Sequence, residues 1–162
     1  MIRLCRTFQT APAAVPRDNS AKFLDSGLTS EGFEAPDWLV PDIEDGTAPS
    51  MKGEAVDNIV DRLPTHTPEF AGEILPRVEW AYDDSTFRER GTEQVHRLAS
   101  AVGDHLDGIV FPKVGRVDDV RAAAAVLAEA EREAGVVDGA LPMASILETA
   151  PARSDLREIC QF

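Results

Sequence analysis

Four places in this sequence put a charged group directly after an apolar run. The stretch "LVPDIEDGTAPSMK" (39–52) ends its apolar run at Ile43 and opens at once onto Glu44 and Asp45. "EILPRVEW" (73–80) carries Arg77, "DGIVFPKV" (107–114) carries Lys113, and "LPMASILET" (141–149) ends in Glu148. Burying charge is costly unless it is paired, so such junctions need either partners or a function. Carboxylates beside an arginine, with no thiolate or histidine cluster near them, suit a hard cation such as Mg2+. That ion takes one or two carboxylates and leaves positions for substrate oxygens. Each residue also has a plainer reading. Glu148 could cap the next helix, Arg77 could form a salt bridge, Asp45 before Gly46 is common turn chemistry, and Lys113 could be structural.

The elements that must position these groups alternate along the chain. Strands are predicted at 2–8, 37–43, 73–80, 107–114 and 141–149. Helices are predicted at 19–28, with Asn19 or Ser20 as cap, and from Ser50 along an apolar stripe of Met51, Ala55, Val56, Ile59, Val60 and Leu63. Others follow over about 85–102, over 117–134 closed by Gly135, and at the C-terminal "ARSDLREICQF". Five such units of about 30 residues imply parallel strands with right-handed crossovers. A doubly wound open sheet and part of a (β/α)8 barrel both fit, and a whole barrel takes about 250 residues. Both folds gather active-site groups at the C-terminal ends of their strands, so Glu44, Asp45, Arg77, Lys113 and Glu148 are expected on one rim.

Composition narrows the partners. The chain has 162 residues, 43% apolar, enough for one domain with a real core. With 29 acidic against 16 basic residues its formal net charge is −13, which repels polyanions and disfavours nucleic acid. Of the basic residues only Lys22, Lys52 and Lys113 are lysines, and so acidic a surface fits a salt-adapted host, where screening relieves self-repulsion. Cys5 and Cys160 form no CxxC and read as idle or buried thiols, without a disulfide. His66, His96 and His105 lack metal-ligand spacing. No stretch reads as a signal peptide or a membrane span, which leads to a cytoplasmic expectation.

The segments "RTF.TAP", "SAKFL", "VPDIEDGTAPSMKGEAVDNIV", "GEILPRVEW", "DGIVFPKVG", "DDVRAAA" and "LPMASILET" resemble, in order, the HpcH/HpaI aldolase and citrate lyase β-subunit superfamily. The wording around the second strand is most similar to the malate synthase branch of salt-adapted archaea. The resemblance implies an α/β chain, the first five β/α units of a (β/α)8 TIM barrel, with 1–162 as the N-terminal part of that domain. It implies Mg2+ held by Glu148, and Arg77 as the group that stabilises the enolate of an acetyl thioester, a task suited to a permanent charge with a fixed fork of donors. Glu44 and Asp45 then orient Arg77 or a metal-bound water, and Lys113 meets the acidic rim or a coenzyme A phosphate.

The implied activity is malate synthesis from acetyl-CoA and glyoxylate. The alternatives are cleavage by a malyl-CoA or citramalyl-CoA type lyase, or a non-catalytic half-barrel that associates through its strand edges. In the family a second metal ligand follows the sixth strand and an aspartate base lies further on. Neither falls within these residues, so the chain by itself is expected to lack catalytic competence, and the full-length family is expected to be homo-oligomeric.

Overall fold

The computed structural model describes residues 5–17 and 20–161. Its elements run β1 (Phe8–Pro12), α1 (Lys22–Leu28), β2 (Trp38–Asp42), α2 (Lys52–His66), β3 (Glu73–Ile74), α3 (Ser85–Val102), β4 (Ile109–Phe111), α4 (Val117–Ala134), β5 (Met143–Ser145), α5 (Ala150–Ser154) and α6 (Leu156–Ile159). All strand pairings are parallel. β1 pairs with β2, β2 with β3, and β4 with β5, while single bridges from Arg77 to Asp42 and to Val110 join the two groups. The strands therefore lie side by side in chain order. A doubly wound sheet would reverse its order at a switch point, so this is an arc of barrel type, and it does not close among the described residues.

Alternate residues of the arc serve two layers. Leu39, Ile43, Ile74, Val78, Ile109 and Phe111 join helix residues such as Ile59, Leu63, Leu98 and Leu127 in the main core. On the other face Val40, Leu75 and Val110 form a second cluster against Trp38, Ala144 and Ile146. Coverage on both faces is why these strands read as apolar runs rather than alternations.

Helix limits follow local chemistry. Asp84 caps α3 by accepting from the N–H groups of Thr86 (2.8 Å) and Phe87 (3.3 Å). Gly135 ends α4 at φ +72°, a conformation glycine reaches without a side-chain clash. Helices α3 and α4 match their predicted spans, and no helix among the described residues is long and apolar enough to cross a membrane.

Several local expectations are corrected. The first strand lies at Phe8–Pro12 and not at 2–8; residues 1–4 are outside the described ones. Arg6 and Thr7 give their N–H groups to the Asp37 carboxylate, so the parallel ladder begins only at Phe8, opposite Trp38. Ser50 does not cap α2, because Pro49 presets a 3-10 turn over Pro49–Met51 that takes up Ser50 before the helix starts. Ser20 does not cap α1 either, where Ala21 holds that position without a side-chain bond, and Asn19 is outside the described residues. The third strand is also shorter than expected, because the chain at 76–80 pairs mainly through Arg77 and Val78, and the fifth pairs with β4 over Met143–Ser145 alone. Cys5 and Cys160 are both free and exposed.

Candidate active site

Asp42 is the last residue of β2 and is fully buried. Its carboxylate carries four hydrogen bonds. Oδ1 accepts from Glu44 N–H (2.8 Å) and Arg77 Nε (2.9 Å), and Oδ2 accepts from Gly46 N–H (2.7 Å) and Arg77 Nη2 (2.6 Å). The Asp42 carbonyl accepts from the Thr47 hydroxyl at 2.6 Å, and Lys52 Nζ donates to the carbonyls of Ile43 (2.6 Å) and Glu44. The turn after β2 is thus tied from inside by one carboxylate and from outside by one ammonium. Such charge-assisted bonds are about twice as strong as neutral ones.

All five residues singled out from the sequence meet at this rim. Arg77 Nη1 stands 3.5 Å from Glu44 Oε2, and Glu44 Oε1 is paired with Lys113 Nζ. Lys113 Nζ also reaches Asp45 Oδ1 at 3.0 Å, and the Lys113 backbone N–H donates to Glu148 Oε1 at 3.2 Å. Lys113 holds a positive φ of 50°, uncommon for a residue with a side chain, and its ammonium and N–H bind opposite ends of the rim. Glu44 Oε2 is buried without a hydrogen-bond partner.

Charge states follow from burial and pairing. Burial pushes the Glu44 carboxyl above its ordinary range, with Lys113 opposing. Burial also works against the charges of Asp45, Lys113 and Arg77, but the ion pairs prevail. Lys113 holds Asp45 below its usual range, Glu44 and Asp45 raise Lys113, and Asp42 raises Arg77. Lys52 is lowered by burial, with Glu79 and Glu44 opposing.

Sequence reading missed Asp42 and Glu79. It assigned the orientation of Arg77 to Glu44 and Asp45, whereas Asp42 makes the two-pronged contact. The signal was a carboxylate closing an apolar strand, one strand away from an arginine. Glu79, 1% exposed, is bonded by Arg90 through two contacts of 2.9 Å and by Gln94 Nε2 at 2.8 Å, and it faces α3.

The rim offers oxygen donors only, as a hard cation requires. Among the described residues no three His, Cys, Asp or Glu side chains cluster closely enough to hold a metal by themselves. Asp42, Glu44, Asp45 and Glu79 each have a cationic partner. Exposed Glu148 has none among the described residues, only the Lys113 N–H, so it fits Mg2+ as one ligand of a site completed by other oxygens. A cleft of about 370 Å³ lined by Arg6, Pro36, Asp37 and Trp38 lies at the opposite ends of the strands, away from this chemistry.

Comparison with known proteins agrees with the geometry. An L-malyl-CoA/beta-methylmalyl-CoA lyase of Haloarcula marismortui is 76% identical over all of this chain, which corresponds to 47% of the lyase. A Haloferax volcanii malate synthase, solved as a magnesium/glyoxylate complex, superposes with a TM-score of 0.91 at 38% identity, over 94% of this chain and 45% of that one. The same synthase in a pyruvate/acetyl-CoA ternary complex gives a TM-score of 0.93 at 37% identity, over 97% of this chain and 43% of that one. The chain thus spans about half the length of the curated relatives it matches. The sequence model for HpcH/HpaI aldolase/citrate lyase matches residues 27–162, and with the parallel arc and its charged rim the chain belongs to that family.

Proposed function

We propose that this chain supplies one side of an active site that makes or breaks the carbon-carbon bond between a 2-oxo acid, such as glyoxylate, and the α-carbon of an acyl-CoA thioester. The observation that carries the reading is the exposed Glu148, without a cationic partner among the described residues on a rim where the other carboxylates have one. Glu148 would hold Mg2+, which supplies Lewis-acid polarisation of the 2-oxo acid carbonyl. Arg77 stabilises the oxyanion of the thioester enolate with a charge that cannot be lost. Glu44, Asp45 and Lys113 fix the rim around it, and Lys113 aims Glu148 through its backbone N–H.

Cleavage is the leading direction, because 76% identity to a malyl-CoA lyase runs along the entire chain. In that direction malyl-CoA loses its hydroxyl proton, the carbon-carbon bond breaks, and its electron pair passes to the thioester enolate, which takes a proton to give acetyl-CoA beside glyoxylate. The likeness to malate synthase supports the second reading, in which the same enolate adds to glyoxylate and water then releases free CoA.

The test uses the purified chain in molar KCl with Mg2+. Acetyl-CoA formed from malyl-CoA without free thiol supports the lyase, and free CoA formed from acetyl-CoA and glyoxylate supports the synthase. Glu148→Ala abolishes either. Mn2+ binding read by electron paramagnetic resonance examines Glu148 independently of turnover. Silence from a folded chain is the outcome expected of a half-site, whereas turnover or Mn2+ binding that survives Glu148→Ala overturns the Glu148 assignment.

A further inference from the structure

Arg77 has five N–H donors in a fixed plane, and the structure accounts for how they are divided. Asp42 takes Nε–H and one Nη2–H along one side of the guanidinium. Nη1 makes no hydrogen bond among the described residues, and Glu44 Oε2 stands 3.5 Å from it. The Arg77 side chain is 15% exposed, so what reaches solvent is limited and directional.

The carboxylate that imposes this division is itself held by the turn beneath it. Glu44 N–H and Gly46 N–H occupy the remaining positions on Asp42. Gly46 sits so close that a Cβ there would lie 2.2 Å from Asp42 Oδ2. A side chain at position 46 would therefore displace the Asp42 carboxylate while leaving every charge of the rim in place.

We infer that Asp42, seated on Gly46, is the positioning residue for Arg77 and turns its Nη1 edge toward the Glu44–Lys113 side, as the edge that receives the anionic oxygen of a ligand. This rests on the role proposed above for Arg77 and goes further, by naming the group that aims it and the donors left to the ligand. Glu44 stands beside that edge without bonding it, which keeps Nη1 near a negative charge and free to donate. Misplacement of a catalytic group by about 1 Å is worth roughly 100-fold in rate, so the aim matters as much as the charge.

The experiment compares Gly46→Ala with Gly53→Ala. Gly53 lies nearby at the start of α2, but a Cβ there meets nothing within 4 Å, so it controls for the glycine replacement alone. Exchange of the Arg77 Nε–H and the splitting of its Nη protons are followed by 15N NMR, with the signal assigned by its loss in Arg77→Lys. The parent chain and Gly53→Ala are expected to show a slowly exchanging Nε–H. Gly46→Ala is expected to exchange as fast as an exposed arginine, with backbone dispersion retained. Asp42→Asn gives the same loss if it folds. An unchanged Arg77 signal in Gly46→Ala overturns the proposal.

Where the chain turns over malyl-CoA, Gly46→Ala lowers kcat about 100-fold with KM little changed, the mark of an interaction made in the transition state. Loss of activity only in proportion to lost stability also overturns it. The NMR result does not depend on turnover, so a failure of the proposed activity and a failure of this inference are read separately.

Discussion

Replacing Gly91 with alanine tests how tightly α3 is pressed onto the arc. Gly91 lies in the first half of α3, and a Cβ built on it falls 1.8 Å from the backbone oxygen of Glu79. Ordinary contact begins near 3.4 Å, so helix or strand must retreat by about 1.5 Å. That retreat is not free, because α3 is wedged between α2 and α4. Gln94, one turn further on, both donates to the Glu79 carboxylate and accepts from the Glu79 N–H at 2.8 Å, and its short side chain cannot follow. Arg90 is longer and 41% exposed, so it keeps its hold on Glu79.

Overpacking of this kind costs about 2 kcal/mol. Losing the two buried bonds to Gln94 costs about 3 kcal/mol, since one of them ends on a charged group. Alanine in a helix returns about 1 kcal/mol relative to glycine. The expected net loss is about 4 kcal/mol, a large part of the 5–15 kcal/mol typical of whole proteins. For a chain of this size it lowers Tm by roughly 10 °C. Chemical denaturation followed by circular dichroism in molar KCl measures it. A loss under about 1 kcal/mol would show that α3 can shift without losing Gln94, and the argument from close approach would be wrong.

Gly53→Ala has open space around the new Cβ and should stabilise the chain by about 0.5–1 kcal/mol in the same assay. Asp37 is held well below the usual carboxylate range, first by its side-chain bonds from Arg6 and then by the Arg6 N–H. Its stabilisation is complete above the ordinary carboxylate pKa and is lost as pH falls through the depressed value. Asp37→Asn should therefore be less stable at pH 7 and converge with the parent in strong acid, and a constant difference across that range would refute the pairing. Glu44 stands above its ordinary value because of burial, with Lys113 opposing, so Lys113→Met should raise it further. A raised carboxyl contributes stability that is present below its unfolded value and lost as pH rises through the folded one. Lys113→Met should lose stability more steeply than the parent toward neutral pH, and Glu44→Gln in that background should remove the extra slope. With a net charge of −13, Tm should climb between 0.1 and 1 M KCl as the screening length falls from about 10 to about 3 Å. A flat response would mean that self-repulsion is unimportant.

The order of elements was legible because each has a local cause. The Ala- and Leu-rich run of α4 forms a helix on its own preferences, and Gly135 stops it where a positive φ is needed. The apolar stripe of α2 placed Ala55, Val56, Ile59 and Leu63 in the core, where all four are buried. The first strand was not legible from periodicity, because three of its five residues are exposed and β1 exists through its ladder with β2. Its start is decided by Asp37, thirty residues away in sequence, which captures the N–H groups just before Phe8.

The rim was legible as a set of residues, since a charge after an apolar run marks a strand end wherever it occurs. Who pairs with whom was not, because that depends on register between strands, and a slip of one residue would carry Asp42 to the helix side and away from Arg77. The observed register sets Asp42 opposite Arg77 and Arg77 opposite Val110. Glu79 shows the limit of the same rule. Two residues beyond Arg77, it should share the face of Arg77 if the strand continued. It is bonded by Arg90 and Gln94 of α3 instead, because regular β3 pairing covers only Glu73–Ile74 and the chain beyond Arg77 keeps only isolated backbone bonds to the neighbouring segment, Val78 N–H to the Val110 carbonyl and Tyr82 N–H to the Lys113 carbonyl. Asp42 aims Arg77 at the rim, while Glu79 ties the arc to α3, and Lys52 links the two carboxylate networks, its Nζ 4.0 Å from Glu79 and bonded to the carbonyls of Ile43 and Glu44.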